Sequence, residues 1–546
     1  LGKSIHFLPP KFRAIFRGKE RWPRSFKRTR PAKNAFALSS RNFFCDKGPA
    51  NVCSLFSTTC PGISPDEELE GNARAMTSFF ERKKPAWIKP VARRKEVRLR
   101  LVPIGFLALI LVGAFLLLLP WTHHTGKSIS PLDALFLATS ATCVTGFSPV
   151  NVAEIFNDFG QAVLLCLIQL GGLGIFTASI SLVLLSGQRL SLADEHTIHA
   201  TVGKLRRVRP LDVFVYGCLF VLLFELAGAV ALFFQIGHAT PYQSTWQTLW
   251  EAIFHSVSAF CNAGISIYPD NLEHWRDCPG ILGIIEILVI AGGIGLMTLI
   301  NLRYYYFWRR DPRRRGYLTL QTKLSLFMTA LLLVVGTLVT LLFEDHNTLA
   351  GASWGERLSW SFFHSTVSRT AGFNVVDVGG MNPPTLLFTL LLMFIGGAPG
   401  SMAGGIKTIT FAVLLMTAWS ALRRRENIQA FGRRISPQLA GRSVMITLLA
   451  LGVVTGGVGL LMFTEQHHAA AETSSGWLAL VFEAVSAFGT AGLSAGVTPL
   501  LTAPGKVIIM LLMFIGRVMP LMLSIYLARP THPWHVRAPE EEVGLG

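Results

Sequence analysis

The chain has 546 residues, of which 51% are hydrophobic and only 15% charged, and its mean hydropathy is +0.45. That balance excludes an ordinary soluble multidomain protein and points to a polytopic membrane protein. The formal charge of +18 sits at one end: residues 1–100 hold 23 Lys+Arg against 8 Asp+Glu, so the rest of the chain is nearly neutral.

The first element in chain order is a basic N-terminal stretch, residues 1–96. Residues 1–75 mix Arg/Lys clusters with Pro, Ser and Cys and lack both amphipathic periodicity and an apolar core, so disorder is expected there and a signal peptide is not. Because this stretch abuts the first apolar segment, its charge reads as a cytoplasmic tail drawn to anionic lipid of the bilayer, with no role in nucleic-acid binding. Leu1 is not an initiator methionine, whereas Met76 opens a short leader with Arg82, Lys83, Lys84, Lys89, Arg93, Arg94 and Lys95, so translation is expected to begin at Met76.

Apolar runs long enough to cross roughly 30 Å of hydrocarbon, about 20 residues each, follow near 101–120, 161–185, 213–236, 280–300, 322–343, 385–420, 443–463 and 505–527. They predict an all-α membrane protein with eight transmembrane helices, grouped as four non-identical helix, pore-loop, helix repeats around a pseudo-fourfold pore. The units are expected at 97–187, 210–308, 318–422 and 439–528, followed by a tail at 529–546. One alternating set of connections carries Arg189, Lys204, Arg206, Arg207 and Arg209, then Arg303, Arg309, Arg310, Arg313, Arg314 and Arg315, then Arg423, Arg424, Arg425, Arg433, Arg434 and Arg442. The other set, at 121–131, 237–245, 344–356 and 465–476, is poor in cations. By the positive-inside rule the cationic set and both termini are cytoplasmic. The eight cysteines form no CxxC pair, which argues against a disulfide framework or a zinc site.

Each outer connection ends in a short apolar stretch that is too short to span and is therefore a re-entrant candidate. The four align with each other: residues 136–146 (FLATSATCVTG), 254–264 (FHSVSAFCNAG), 362–372 (FFHSTVSRTAG) and 482–492 (FEAVSAFGTAG). Phe stands ten before the glycine, Ser or Thr six before, a small residue one before and an apolar residue one after. Four copies in register mark one structural unit used four times. A cation leaving water needs a ring of oxygens that replaces its hydration shell and still releases it, and backbone carbonyls supply such a ring. Glycine permits the positive φ that turns carbonyls toward the axis, and the preceding short helix aims its partially negative C-terminus at the cavity. The candidate selectivity-filter residues are Val144, Thr145 and Gly146; Asn262, Ala263 and Gly264; Thr370, Ala371 and Gly372; and Thr490, Ala491 and Gly492.

The inner crossings carry a second repeat: Gly171-Gly172, Gly292-Gly293, Gly396-Gly397 and, with an arginine in the second place, Gly516-Arg517. An arginine in mid-membrane faces a wet cavity or a partner, so Arg517 is either an electrostatic barrier or latch in the pore or a structural arginine satisfied by Glu or carbonyls. The third inner crossing is interrupted by residues 396–408 (GGAPGSMAGGIKT), whose five glycines and proline cannot stay helical. Irregular backbone at this depth must line a cavity or be buried in protein. Gly396, Gly397, Pro399, Gly400, Ser401, Gly404, Gly405 and Lys407, with Arg517, are the candidate gate; a passive kink is the alternative.

These motifs resemble those of the Trk/Ktr/HKT superfamily of potassium transporters over about residues 98–528: the four single-glycine filters, QLGGLGIFT at 169–177, SRTAGFN at 368–374, the loop at 396–408 and the arginine of the last inner helix. The pattern is most similar to a KtrB-type subunit. The resemblance implies potassium as the main transported ion, the third-unit loop as gate and Arg517 as its companion in the pore. It also implies a homodimer in the bacterial inner membrane, seated on a cytoplasmic ring of KtrA- or TrkA-like regulator subunits that respond to ATP and ADP. This chain has no phosphate loop or dinucleotide fingerprint of its own, so no organic cofactor is expected on it. In plant relatives a serine at the first filter position marks sodium transport; here it is Gly146. Met519 before Pro520 departs from the glycine usual in the family.

A sodium-permeable or cation-coupled transporter of the same superfamily remains open. An alternating-access carrier would favour inverted halves, whereas these units are parallel. A membrane-embedded enzyme is suggested only by Glu225, Glu251, Glu286, Glu483, His255 and His364, which form no recognisable nucleophile, metal or acid/base set in the sequence. Cys143 and Cys261, beside two filters, are candidates for thiol-reagent sensitivity.

Overall fold

The computed structural model describes residues 89–185, 210–308, 318–425, 427–468 and 476–527. The expected start at Met76, the basic residues Arg189, Lys204, Arg206, Arg207, Arg209, Arg309, Arg310, Arg313, Arg314 and Arg315, and the tail at 529–546 lie outside the described residues.

The same three-part unit recurs along the chain. The first comprises α1 (Lys89–Leu117), the short α2 (Pro131–Cys143) and α3 (Asp158–Leu185). The second has α4 (Pro210–Ala239), α5 (Thr245–Phe260) and an inner pair, α6 (Pro279–Ile294) and α7 (Leu296–Trp308). The third has α8 (Leu320–Glu344), α9 (Trp354–Val367) and another broken inner pair, α10 (Pro383–Phe394) and α11 (Thr408–Leu422). The fourth has α12 (Pro437–Glu465), α13 (Gly476–Gly489) and α14 (Ala503–Leu527). Between α11 and α12 lies a hairpin of β1 (Gln429–Ala430) and β2 (Arg433–Arg434), paired antiparallel.

Every predicted apolar segment falls on a long helix or a broken helix pair. Among the described residues, four helical segments are long and apolar enough to cross a membrane, and the α6–α7 pair, bent by 98°, makes a fifth. Helix α1 begins at Lys89, inside the stretch that composition assigned to the tail.

Local chemistry explains where the helices start. Ser130, Ser244 and Ser353 cap the first three short helices by accepting from backbone N–H groups of the first turn, and Ser353 forms a full capping box with Glu356. Proline opens α2, α6, α10 and α12, where its missing N–H costs nothing. In the third and fourth units the last residue of the outer helix caps the inner helix of the same unit. Glu344 accepts from the Asn382 N–H at 2.9 Å and Glu465 from the Thr502 N–H at 3.2 Å, each fully buried carboxylate meeting the positive end of a helix.

Packing reveals a repeat that sequence alignment of the pore loops did not include. Each outer helix carries one glycine, Gly113, Gly228, Gly336 or Gly457, against which an inner-helix leucine packs: Leu167, Leu288, Leu392 and Leu512 respectively. A Cβ at these glycines would lie 2.6–3.0 Å from the leucine methyls. Each leucine stands one helical turn before the inner-helix glycine of its unit. Small residues of this kind let membrane helices approach closely. The first and last units are joined by an ion pair, Lys506 Nζ to Asp133 Oδ1 at 2.6 Å. Exposed Trp121, Tyr242, Trp246, Trp354 and Trp477 all lie in or just after the cation-poor connections, as an interfacial aromatic belt would.

Candidate ion pathway

The short helices end in a shared way. In the first, second and fourth units the residue two before the aligned glycine takes positive φ: Val144 at 55°, Asn262 at 60° and Thr490 at 50°. Its N–H donates three residues back, to Ala141, Ala259 and Ala487, and the next N–H donates five residues back, to Ser140, Ser258 and Ser486, at 2.8 Å each. This is the Schellman pattern, built without its usual glycine. In the third unit Thr370 also has positive φ, 82°, but Ala371 donates four residues back, to Val367. That turn is one residue tighter. The sequence alignment equated Phe362 with Phe136, Phe254 and Phe482; in the structure those three are fully buried, and their counterpart is Phe363, also fully buried, nine residues before the glycine. Positive φ at β-branched Val144, Thr370 and Thr490 is costly, about 1–3 kcal/mol each, and such strain gathers at ligand clamps.

The four glycines, Gly146 (φ 111°), Gly264 (64°), Gly372 (74°) and Gly492 (76°), meet in one ring. A Cβ on Gly146 would run into the carbonyl oxygen of Ala263, on Gly264 into that of Ala371, on Gly372 into that of Ala491, and on Gly492 into that of Thr145. The order of contacts is therefore one, two, three, four and back to one, which is a closed ring of four chain segments. Left-handed conformations at the glycine and two residues before it turn alternate peptide units, and the C-termini of α2, α5, α9 and α13 end at this ring. Buried side-chain oxygens of Thr142, Thr145, Asn262, Thr370, Ser486 and Thr490 have no hydrogen-bond partner among the described residues. All twelve predicted filter residues are in this ring or within two residues of it.

Immediately beneath lie the inner-helix glycines. Gly171, Gly292 and Gly516 press on the carbonyls of Thr142, Phe260 and Phe488, each four residues before the ring glycine of its own unit. The third unit departs: Gly396 faces the carbonyl of Gly404, because the loop at 396–407 folds back on itself, with Gly396 N–H donating to Ile406 at 2.9 Å and Thr408 N–H to Gly397 at 3.0 Å. The loop also crosses to the second unit. Ala398 donates to Gly293 O at 2.9 Å, Met402 to Gly292 O at 3.2 Å, and Leu296 donates to Gly400 O at 3.2 Å. These bonds meet the bend between α6 and α7, where Gly295 has φ 88°.

Arg517 is buried and its Nη1 donates to the Met402 carbonyl; its Nε and Nη2 have no partner among the described residues. Lys407 turns its ammonium back onto the loop, donating to Ala403 O at 2.6 Å. Sequence reasoning missed Met402. Its sulfur lies 3.4 Å from where a Cβ on Gly172 would stand, its N–H bonds the second unit and its carbonyl the fourth, so one residue of the third unit touches the other three. Nothing in the motif pattern distinguishes this methionine from the glycines around it.

The carboxylates and histidines that invited an enzymatic reading are scattered. Glu251 accepts from Gln243, Gln247 and Tyr268; Glu483 from Ser494 and Thr498; His255 pairs with the Glu251 carbonyl and Ser266; and His364 with Thr389. Among the described residues no three His, Cys, Asp or Glu side chains are grouped to hold a metal ion. Cys143 and Cys261 are enclosed by protein, which removes the expected thiol sensitivity. Above the ring, Asn374 donates to Glu273 at 2.8 Å. Burial, then nearby Asp377 and Asp270, push the Glu273 carboxyl above its ordinary range.

The description of one protein family, TrkH, cation transport protein, matches residues 100–533. The chain belongs to the TrkH family. Among curated relatives it is 36% identical to the Ktr system potassium uptake protein B of Vibrio alginolyticus over 86% of this chain and 100% of that one. It is also 36% identical to the protein of the same name from Bacillus subtilis, over 82% and 96% of the two chains. It is 34% identical to the potassium/sodium uptake protein NtpJ of Enterococcus hirae, over 83% and 99%. The crystal structure of the potassium transporter TrkH from Vibrio parahaemolyticus superposes with a TM-score of 0.60 at 19% identity, covering 78% of this chain and 84% of that one, which shows the fold. A TrkH-family chain is an all-helical membrane transport protein, not an enzyme, and the relatives' names agree.

Proposed function

We propose that this protein takes up potassium through a pore along the axis of the four units. The observation that carries the reading is the closed cyclic order in which Gly146, Gly264, Gly372 and Gly492 meet carbonyls of the next unit. The carbonyls of residues 144–146, 262–264, 370–372 and 490–492 form the selectivity filter, and cations shed water there. Asp270, Glu273 and Asp377 at the outer side raise the local cation concentration. The loop at 396–407, with Met402 beneath the ring and Arg517 holding its carbonyl, is the closed gate. Eight crossings, cytoplasmic termini, a plasma-membrane location and a homodimer go with this reading, as does a nucleotide-binding regulator ring, the relatives' Ktr system names supporting a further component.

Sodium permeation is the second reading, favoured by the relative named for both ions. A single short ring holds fewer ions in series than a long filter, so selectivity should be modest. Rb⁺ uptake into liposomes holding the purified protein, competed by K⁺ or Na⁺, tests both. Competition by K⁺ at much lower concentration supports the potassium reading, and equal competition supports the sodium one. Absence of flux even with Arg517→Ala and an added regulator with ATP rejects the pore.

A further inference from the structure

Two polar side chains break the fourfold pattern, and they touch. Three residues before the outer-helix glycine stand Ile110, Glu225, Leu333 and Val454, every one of them buried. The equivalence of Glu225 and Leu333 is also direct, since their backbone carbonyls accept from Ser256 Oγ at 2.6 Å and Ser365 Oγ at 2.9 Å, the serines that face Gly228 and Gly336. Two residues before the inner-helix glycine stand Gln169, Ile290, Phe394 and Phe514. Glu225 and Gln169 thus replace aliphatic or aromatic side chains at the joint between the first and second units. Gln169 Nε2 donates to Glu225 Oε2 at 3.0 Å.

A third member completes the cluster. Cys261 Sγ lies 3.7 Å from Glu225 Oε1 and 3.4 Å from Gln169 Oε1, and it is fully buried. Cys261 immediately precedes Asn262, whose positive φ begins the second copy of the ring, and its sulfur is 3.1 Å from where a Cβ on Gly172 would lie. No cation partners Glu225 among its hydrogen bonds; both of its oxygens face donors. The Glu225 carboxyl group thus holds the Gln169 amide through one oxygen and lies against the Cys261 thiol with the other, so it orients both side chains. A carboxylate at this depth is expensive unless it has work to do.

We propose that Glu225, acting through Gln169 and Cys261, is a positioning residue for the second copy of the carbonyl ring and thereby sets which alkali cation the ring prefers. This rests on the ring being the selectivity filter. Glu225→Gln places an NH₂ donor where an acceptor stood, and one of the two existing donors loses its partner.

The test is Rb⁺ uptake into liposomes with K⁺ and Na⁺ as competitors, normalised to monodisperse protein. Glu225→Gln is expected to lower the K⁺-over-Na⁺ competition ratio by about tenfold, the equivalent of one hydrogen bond of ring geometry. Cys261→Val should do the same, whereas Cys261→Ser, which keeps a donor, should stay within about twofold of the parent. A merely structural role would change the yield of folded protein or the uptake rate and leave the ratio alone; that result overturns the proposal. If Glu225→Gln does not fold, Gln169→Leu carries the same prediction and the same refutation. Absence of Rb⁺ flux from the parent and from Arg517→Ala, even with an added regulator and ATP, rejects the pore reading itself, and a selective parent with selective Glu225→Gln and Cys261→Val variants rejects only the role of Glu225.

Discussion

Removing the guanidinium of Arg517 tests the gate most directly. Its Nη1 donates to the Met402 carbonyl in a buried setting. Charged hydrogen bonds of this kind contribute about 1.5–3 kcal/mol, so their loss moves a closed-to-open equilibrium roughly ten- to hundredfold toward open. The loop keeps its other ties, Ala398 to Gly293, Met402 to Gly292 and Lys407 to Ala403, so it loosens without coming apart. Arg517→Ala should therefore raise regulator-free Rb⁺ flux in liposomes. Arg517→Lys, a point donor without the planar fork, should fall between the two. Unchanged or lower flux from correctly folded Arg517→Ala protein would refute the latch.

The ring itself should tolerate no Cβ. Gly492→Ala, which drives a methyl into the Thr145 carbonyl, should abolish measurable uptake, while Gly459→Ala on α12, with nothing within 4 Å, should leave uptake intact and stabilise the helix by about 0.5–1 kcal/mol in thermal unfolding. Glu273 has a raised carboxyl pKa, so the folded state holds its proton longer than the unfolded chain does, and stability falls as pH rises from the unfolded pKa through the folded one. Glu273→Gln should flatten that part of the melting-temperature profile; an unaltered profile would show that the group does not contribute. Cys143 and Cys261 should resist a polar maleimide in liposomes, and flux inhibition that disappears in a Cys261→Ser variant would contradict their enclosure.

Much of this architecture was legible because it is repeated. Four aligned glycines in one chain revealed the unit, and the apolar run lengths revealed the helices around it. The cyclic contacts of Gly146, Gly264, Gly372 and Gly492 agree with the alignment. What escaped was whatever depends on side chains meeting across units. The glycine–leucine pairs, Gly113 with Leu167 and its three counterparts, sit about fifty residues or more apart, and each glycine is unremarkable in its own helix. The capping carboxylates Glu344 and Glu465 looked like loop acids, because nothing local says that an inner-helix N-terminus closes on them. The tighter turn before Ala371 was hidden by two adjacent phenylalanines, Phe362 and Phe363, either of which satisfies an alignment.

The exceptions to the repeat carry more functional information than the repeat does. In a ring made of four identical units every inner helix would pass the ring in the same way, and no single segment would lie beneath it alone. Here Gly171, Gly292 and Gly516 press on their own short helices, while Gly396 presses on its own loop, and that loop bonds backbone of the second unit through Ala398 and Met402. The residue that receives this loop, Arg517, is where the second inner glycine is missing, and the helix that bends to accommodate it, at Gly295, belongs to the unit whose carbonyls the loop bonds. Glu225 and Gln169 break the pattern at a different joint, between the first and second units. On the proposed reading these departures sort into two devices, one under the ring that would block it and one beside the ring that would shape it. If the devices are separate, Arg517→Ala and Glu225→Gln should act independently: the first on flux, the second on the K⁺-over-Na⁺ ratio, with free-energy effects that add in the double variant to within about 0.5 kcal/mol. A ratio that shifts in Arg517→Ala alone would mean that gate and filter are one coupled element.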